Sequence, residues 1–480
     1  MPHNSPSMEE HPMEDNPVRR QRSKTEKAKQ PTLLERIKIN AAGIDCGSRQ
    51  HYVAVPVDRD VEPVRRFNTM TPDLYRLADW LKACGIESVA MEATGVYWIP
   101  IYEILEARGF EVVLVNARHV KNVPGRKTDV VDCQWIQELH SLGLLRGSFR
   151  PSAEIASLRA YLRHREKLVL DAANHIRRMQ KSLGLMNVQL HNVIADITGK
   201  TGMQIVRDIA RGATDPKALA SHRDYRCRAS EEEIAASLTG NYRHEHVFVL
   251  RQNLELYDSY QRQIQTCDGE IESLLQDLAA KQGTPVAALP PARRRHRLQK
   301  NDPRFEIRSP LHRLSGADIT QIDALGPYTA LRLISEIGTD MTCWPTEKHF
   351  TSWLTLAPRN KITGGRLISS KTQPSANRAA AMLRMCAMSV GKTSTALGAF
   401  YRRLGYRIGK AKAITATARK LAILVYRVLR GDIDYQDPGA DAYEAQHRTR
   451  TLRNLRNRAQ RLGLGLINLE TGEVLERGVS

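Results

Sequence analysis

The sequence predicts an α/β domain followed by a long all-α region, and three observations predict it. Short apolar runs bounded by Gly, Pro or polar residues alternate with helical patterns from Ala41 to Leu145. Beyond Pro151 the apolar residues recur at steps of three and four. The chain has 480 residues, too many for one core and enough for two to four domains.

In chain order, AAGIDCG, HYVAVPV and PVRRFNTM read as three strands, and their adjacency implies a meander. TPDLYRLADWLKACG reads as a helix, with Thr71 as N-cap, Pro72 at the first helical position and Gly85 just past the end. IESVAMEA is then a strand, Tyr97 to Arg108 a helix, FEVVLVNA a strand and Thr128 to Leu145 a helix. The order β-β-β-α-β-α-β-α is that of the RNase H fold.

Ile155, Leu158, Leu162, Val169, Ala172, Ile176, Met179 and Leu183 form a heptad seam broken by Arg165. Val247, Leu250, Leu254, Tyr257, Ile264, Ile271, Leu275 and Leu278 form a second, interrupted by Gln261 and Asp268. Two such helices can pair antiparallel within one chain or across two copies, and the pattern does not choose. TPVAALPPARRRHRLQKNDPRF is rich in Pro and Arg, lacks periodicity and reads as a linker. DITQIDALGPYTALRLISEIG resembles a helix-hairpin-helix whose Leu325-Gly326-Pro327 turn offers backbone N–H groups to a phosphate. Further helices are expected in SANRAAAMLRMCAMSV and AKAITATARKLAILVYRVLRG, and RTRTLRNLRNRAQRLG is a basic segment expected to order on nucleic acid.

The net charge is +20, from 72 Lys and Arg against 52 Asp and Glu. Such an excess points to a polyanionic partner, because each side chain that neutralises a phosphate also releases a condensed counterion. A membrane is not expected, since no apolar run is long enough to span one. The seven cysteines lie far apart, without zinc-site spacing, and read as reduced thiols. The N-terminal stretch lacks the apolar core of a secretory signal, so a cytoplasmic, nucleoid-associated protein with a disordered tail is expected.

Four carboxylates carry the chemistry. Asp45 lies inside a predicted central strand, where an uncompensated charge is costly to bury. Glu92 closes a strand that the proposed order places beside the first, and Asp129 and Asp132 share a helical face. Converging carboxylates repel unless a cation lies between them, and an all-oxygen set suits Mg²⁺ or Mn²⁺. Lys127, just ahead, is placed to contact phosphate.

GIDCGSRQHYVAV, EATGVYW and the GRKTDVVDCQW run resemble the DEDD-type transposases of the IS-one-ten group of bacterial insertion sequences, more specifically the IS-eleven-eleven branch. LGPYTALRLISEIG and the stretch from FTSWLTLAPRNKITGG to NRAAAMLRM resemble that family's second transposase domain. The resemblance implies a RuvC-like domain, a dimerising coiled coil and a helical C-terminal domain that supplies a serine nucleophile. It also implies DNA as substrate, a guide RNA, and a composite site assembled in a homodimer or homotetramer. Asp45, Glu92, Asp129 and Asp132 become the metal ligands. The nucleophile position falls on Thr363, with Ser369 and Ser370 as substitutes if the register differs. Threonine supplies a hydroxyl, but its extra methyl is stiff and crowds an in-line approach. Gly364 and Gly365 let that loop approach a phosphate, and Arg366, Lys371, Asn377, Arg378 and Arg384 are available to hold the backbone.

The expected organisation is a tail over 1–39, a RuvC-like catalytic domain over 40–150, a coiled-coil region over 151–283, a basic linker over 284–308, a transposase domain over 309–435 and a basic tail over 436–480. Two readings compete with RNA-guided strand exchange. One is a RuvC-like nuclease or Holliday-junction resolvase in which water attacks, and the other a nucleic-acid-binding relative with impaired catalysis.

Overall fold

Alternating burial builds the first sheet. In β1 (Ala41–Cys46), Ala42, Ile44 and Cys46 enter a core with Leu74, Leu77, Leu81, Ile101 and Leu105, so the intervening positions face the other side. β2 (Gln50–Ala54) and β3 (Val64–Asn68) pair antiparallel, as a meander requires. β4 (Ser88–Glu92) and β5 (Glu111–Val115) then add parallel to the other edge of β1. The order is β3-β2-β1-β4-β5, with β1 at the centre. α1 (Thr71–Ala83) and α2 (Trp98–Ala107) cover one face, and α3 (Asp129–Ser141) packs on β1, β2 and β4. This is the RNase H-like order expected.

The computed structural model describes residues 36–93, 95–116, 129–282, 288–293, 297–467, 469 and 472. The expected disordered tail falls almost wholly outside them, as does Lys127. The chain divides at Phe149 and Arg150 into two units. Helix ends differ slightly from expectation. α1 starts at Thr71 itself, with Met70 in the cap position and no side-chain cap, while Gly85 takes the expected positive φ of 66°. Among the described residues no helix is long and apolar enough to cross a membrane.

The second unit is helical. Its longest members, α4 (Ala153–Leu185) and α5 (His244–Lys281), pack along their length within one chain. They run antiparallel: Tyr161 and Arg165 meet Cys267 and Asp268, whereas His175 meets Asn253. The buried line on α4 is Ile155, Leu158, Leu162, Arg165, Leu168, Ala172, His175, Met179 and Ser182. Val169 and Ile176, expected in the seam, are only partly buried beside it. Arg165 does not break the seam but occupies it, because its opposite is Asp268, the residue that interrupts the other seam. The guanidinium reaches Asp268 Oδ2 at 3.2 Å, the Asn301 carbonyl at 2.9 Å and the Tyr328 hydroxyl at 3.0 Å. His175 Nδ1 lies 2.9 Å from Asn253 Oδ1 and its ring stacks on Tyr260.

Later helices are α6 (Pro327–Ile337), α7 (Arg378–Val390), α8 (Ala396–Ile408), α9 (Lys410–Leu429) and α10 (Ala440–Arg461). The helix expected ahead of the Gly-Pro turn shrinks to one 3₁₀ turn, Ile319–Gln321, because Asp318 caps the Thr320 N–H at 3.0 Å and closes the chain locally. The basic C-terminal segment is helical without nucleic acid, although α10 has no buried residue. Its Ala, Leu, Gln and Arg are strong helix formers, and Tyr443 and His447 anchor it through Arg403.

Replacing Arg165 by Met leaves Asp268 without its partner in a nearly dry seam and should destabilise the protein by about 3–5 kcal/mol. Adding Asp268→Leu should recover most of that loss in denaturant unfolding. Additive losses in the double variant would show that the two charges do not act as a pair.

Candidate active site

The site is built by register. β1 and β4 run parallel with Ile44 opposite Met91, so the next residues, Asp45 just before the end of β1 and Glu92 at the end of β4, stand at the same level on neighbouring strands. Alternation turns both away from the Ile44 and Met91 core and toward the face that holds Ala90, Val115 and Ile136. α3 covers that face. Ile136 is fully buried against it, and Asp132 lies one helical turn earlier on the same side, partly exposed. Asp129 is the first residue of the helix, three positions before Asp132; its side chain lies outside the described residues.

A glycine sets how close α3 comes. A Cβ on Gly43 would clash with the Gln137 backbone nitrogen and the Cys133 carbonyl oxygen, and would lie 2.9 Å from the Gln137 Cα. Only hydrogen at this position lets the helix backbone rest on the strand, two residues before Asp45. Two side chains fasten it there. Gln137 Nε2 donates to the Ala41 carbonyl at 3.2 Å, and His140 Nε2 lies 2.7 Å from Ser88 Oγ on β4.

Two cysteines register the charge that results. Burial pushes the Cys46 thiol well above the ordinary thiol range, and the negative charges of Asp45 and then Glu92 push it further. Burial likewise raises Cys133 to about 12, with Asp45 and Asp132 adding to it against backbone N–H groups that lower it. Asp45 thus acts on thiols from both sides of the site, one shared with Glu92 and the other with Asp132. No group of three or more His, Cys, Asp or Glu arranged to hold a metal ion occurs among the described residues. The oxygen-only chemistry of the donors fits a hard divalent cation.

The hydroxyl candidate lies in the second unit. β6 (Lys361–Thr363) and β7 (Arg366–Ser369) form an exposed antiparallel hairpin in which Thr363 pairs with Arg366. Gly364 and Gly365 make the two-residue turn with φ of 52° and 74°, both in the left-handed region as a type I′ turn demands. This hairpin was missed as secondary structure, yet Gly-Gly between KIT and RLI is its sequence signal. Thr363, Gly364, Gly365, Arg366 and Lys371 are all exposed, as is Ser370, while Ser369 is partly covered. Asn377 caps α7 by accepting from the Ala380 N–H at 2.9 Å. Arg378 pairs with Glu166 at 2.6 Å, and Arg384 is half-buried on α7.

The Gly326 turn opens onto a cavity of about 570 Å³ lined by Arg293, Arg297 and Arg308. Arg293 is matched by Asp323 and Asp437, and Arg308 by Asp318, so most of that positive charge is neutralised internally.

A central strand and its parallel neighbour carry carboxylates at one level near their C-terminal ends, beneath a helix whose sequence holds two more, in an RNase H-like arrangement. Comparison with known families agrees. Residues 42–187 match the model of a family described as transposase, of the IS110 DEDD type, and residues 317–402 match that of the transposase IS116/IS110/IS902 family. These matches support a transposase function. No curated protein matches the chain.

Gly43→Ala should destabilise the first unit by about 1–3 kcal/mol, since the clash is with backbone that cannot rotate away. By lifting α3 it should also lower strand cleavage by about 100-fold, as small misplacements of catalytic groups do. Thermal melting and cleavage assays read the two effects; wild-type values in both would show that the contact does not set the site. A pH effect is expected too. Burial first, then Lys38, push His140 from the ordinary 6.5 to about 4 against the pull of Glu111, and burial alone does the same to His51. Both imidazoles favour the fold in their neutral form. Their stabilisation is complete above the unfolded value near 6.5 and drains away as pH falls toward 4. The urea midpoint should already decline between pH 6.5 and 5.5, above the carboxylate range, and His140→Gln should shrink that decline.

Proposed function

We propose that this chain is a DNA transposase of the IS-one-ten DEDD type that cleaves and exchanges strands by metal-dependent phosphoryl transfer. The observation that carries the reading is the placement of Asp45 and Glu92 at the same level on adjacent strands, on the face covered by the helix of Asp129 and Asp132. These four residues would hold Mg²⁺ or Mn²⁺. When bound, such an ion neutralises the carboxylates and stabilises the charge that develops on the phosphoryl oxygens.

Thr363 acts as the nucleophile. Its hydroxyl oxygen bonds to phosphorus, the ester bond to the leaving strand end breaks, the departing oxygen takes a proton and the threonine proton passes to solvent. The product is a covalent phosphothreonine ester with DNA. The double-glycine turn leaves room for a phosphate beside the hydroxyl, and Arg366, paired across from Thr363, supplies positive charge. Asn377, which caps α7, and Arg378, which pairs with Glu166, have structural roles in this chain that compete with phosphate contact, so Arg366, Lys371 and Arg384 carry more of that task. Lys127 belongs to the same reading as a phosphate contact. The finer parts, the IS-eleven-eleven branch, the RNA guide and a composite site in a homodimer or homotetramer, rest on the sequence resemblance alone.

Incubation with a DNA substrate bearing the element ends and Mg²⁺, followed by denaturing electrophoresis, tests the proposal. Wild type should give a covalent adduct, Thr363→Ala none, and Thr363→Ser more than wild type because the crowding methyl is gone. Asp45→Asn and Asp129→Asn should abolish cleavage while leaving salt-dependent DNA binding intact. Cleavage that survives Thr363→Ala would favour the water-attack reading of a nuclease or junction resolvase. Undiminished turnover in Asp129→Asn would refute the metal assignment.

A further inference from the structure

Helices α9 and α10 lie beyond both stretches matched by transposase families, and nothing in the strand-transfer chemistry uses them. They nevertheless gather a group of cations around Arg403 on α8. The Arg403 guanidinium donates to the Tyr443 hydroxyl at 3.0 and 2.7 Å and to His447 Nε2 at 2.8 Å, and it also lies over the rings of Phe400 and Tyr443. Lys420 of α9 sits over the Phe400 ring at 4.9 Å. Every one of these contacts fixes a cation without neutralising it. Among the described residues, Arg403, Arg407, Lys420 and Arg450 pair with no carboxylate.

The mutual repulsion acts on the neighbouring titratable groups. Burial, then the charges of Arg450 and Arg403, lower the Lys420 ammonium from its ordinary value. Burial, then Arg403, Arg450 and Arg407, lower His447 in the same way. A fold gains nothing from crowding four cations together, because like charges at short range oppose folding. Such a cluster makes sense when an external polyanion compensates it. α10 continues the surface with exposed Arg448, Arg453, Arg458 and Arg461. Tyr406, 98% exposed beside Arg407, contributes nothing to the core and presents a hydroxyl donor.

The geometry points to a duplex-DNA backbone site on α8, α9 and α10, centred on Arg403, Arg407, Lys420 and Arg450. The 22 residues of α10 span ~33 Å at 1.5 Å per residue, close to the ~34 Å of one duplex turn. Arginines stand exposed at intervals along that length, and among the described residues Arg448, Arg453, Arg458 and Arg461 pair with no carboxylate that would fix them in one orientation. The site therefore binds phosphate without sequence preference. The choice of DNA as the polyanion rests on the transposase reading above.

The test uses the full chain and a duplex of roughly 30 base pairs, about three turns, without element sequence. Fluorescence anisotropy across a salt series gives the slope of log affinity against log salt. The variant Arg407→Gln/Lys420→Gln/Arg450→Gln should reduce that slope by about 2 to 3, at about 0.9 per lost phosphate contact, and weaken binding at least about 10-fold. Arg178→Gln/Lys181→Gln on α4, an exposed basic pair far along the chain, should change neither. Arg407→Gln alone, at an exposed position, gives a smaller drop of about 1 should the triple variant melt early. An unchanged slope, an equal loss in the α4 control, or a loss seen with single-stranded RNA but not with duplex DNA would overturn the site. Adduct formation by the triple variant at saturating DNA separates the outcomes: adduct retained with weakened binding sustains both proposals, whereas no adduct even in wild type removes the catalytic one and leaves the binding slopes to be judged alone.

Discussion

The absence of a side chain at Gly43 is the constraint on which the first unit depends. A helix resting on a sheet through side chains of ordinary size stands about 10 Å away, too far for short carboxylates on both to meet across the gap. With hydrogen at position 43, the α3 backbone settles at the Cys133 carbonyl and the Gln137 nitrogen. The acids that flank this contact, Asp45 on the strand and Asp132 on the helix, come with it. Gln137 and His140 then hold the helix in rotation as well as distance, one on β1 and the other on β4.

The same face shows how a fold tolerates an acidic centre. Asp45 stands one residue before the end of β1 and Glu92 at the end of β4, and each remains partly accessible while the residues just before them, Ile44 and Met91, are fully buried. The apolar core is on the opposite face, where α1 and α2 close it. The acidic and apolar faces are thereby divided between the two sides of one sheet, and substitutions on one side need not be felt on the other.

Much of this was legible in the residues. Apolar alternation in AAGIDCG and SVAME placed both strands, and a helix pattern with acids three apart placed α3, because local periodicity reports directly on which side is buried. Less legible was anything decided by a distant partner. Arg165 reads as an error in a heptad until Asp268, 103 residues later, is seen to meet it. Val169 and Ile176 look like better seam residues than Leu168 and His175, but Asn253 and Tyr260 recruit the histidine. The hairpin at Thr363 was readable from Gly-Gly and was obscured by the helices around it. The order in α10 was hidden because its anchors, Tyr443 and His447, are fixed by one arginine on α8 and not by a hydrophobic stripe.

The pairing of Arg165 with Asp268 bears on how the long helices find one another. Sliding α4 past α5 by a single turn would set each ion against hydrocarbon, whereas apolar contacts alone would survive such a slip with little loss. The pair therefore works as an index mark on a ruler, admitting one alignment of two otherwise repetitive surfaces. The alignment of the two helices is thereby fixed by the pair itself and does not depend on the length of the segment that joins them.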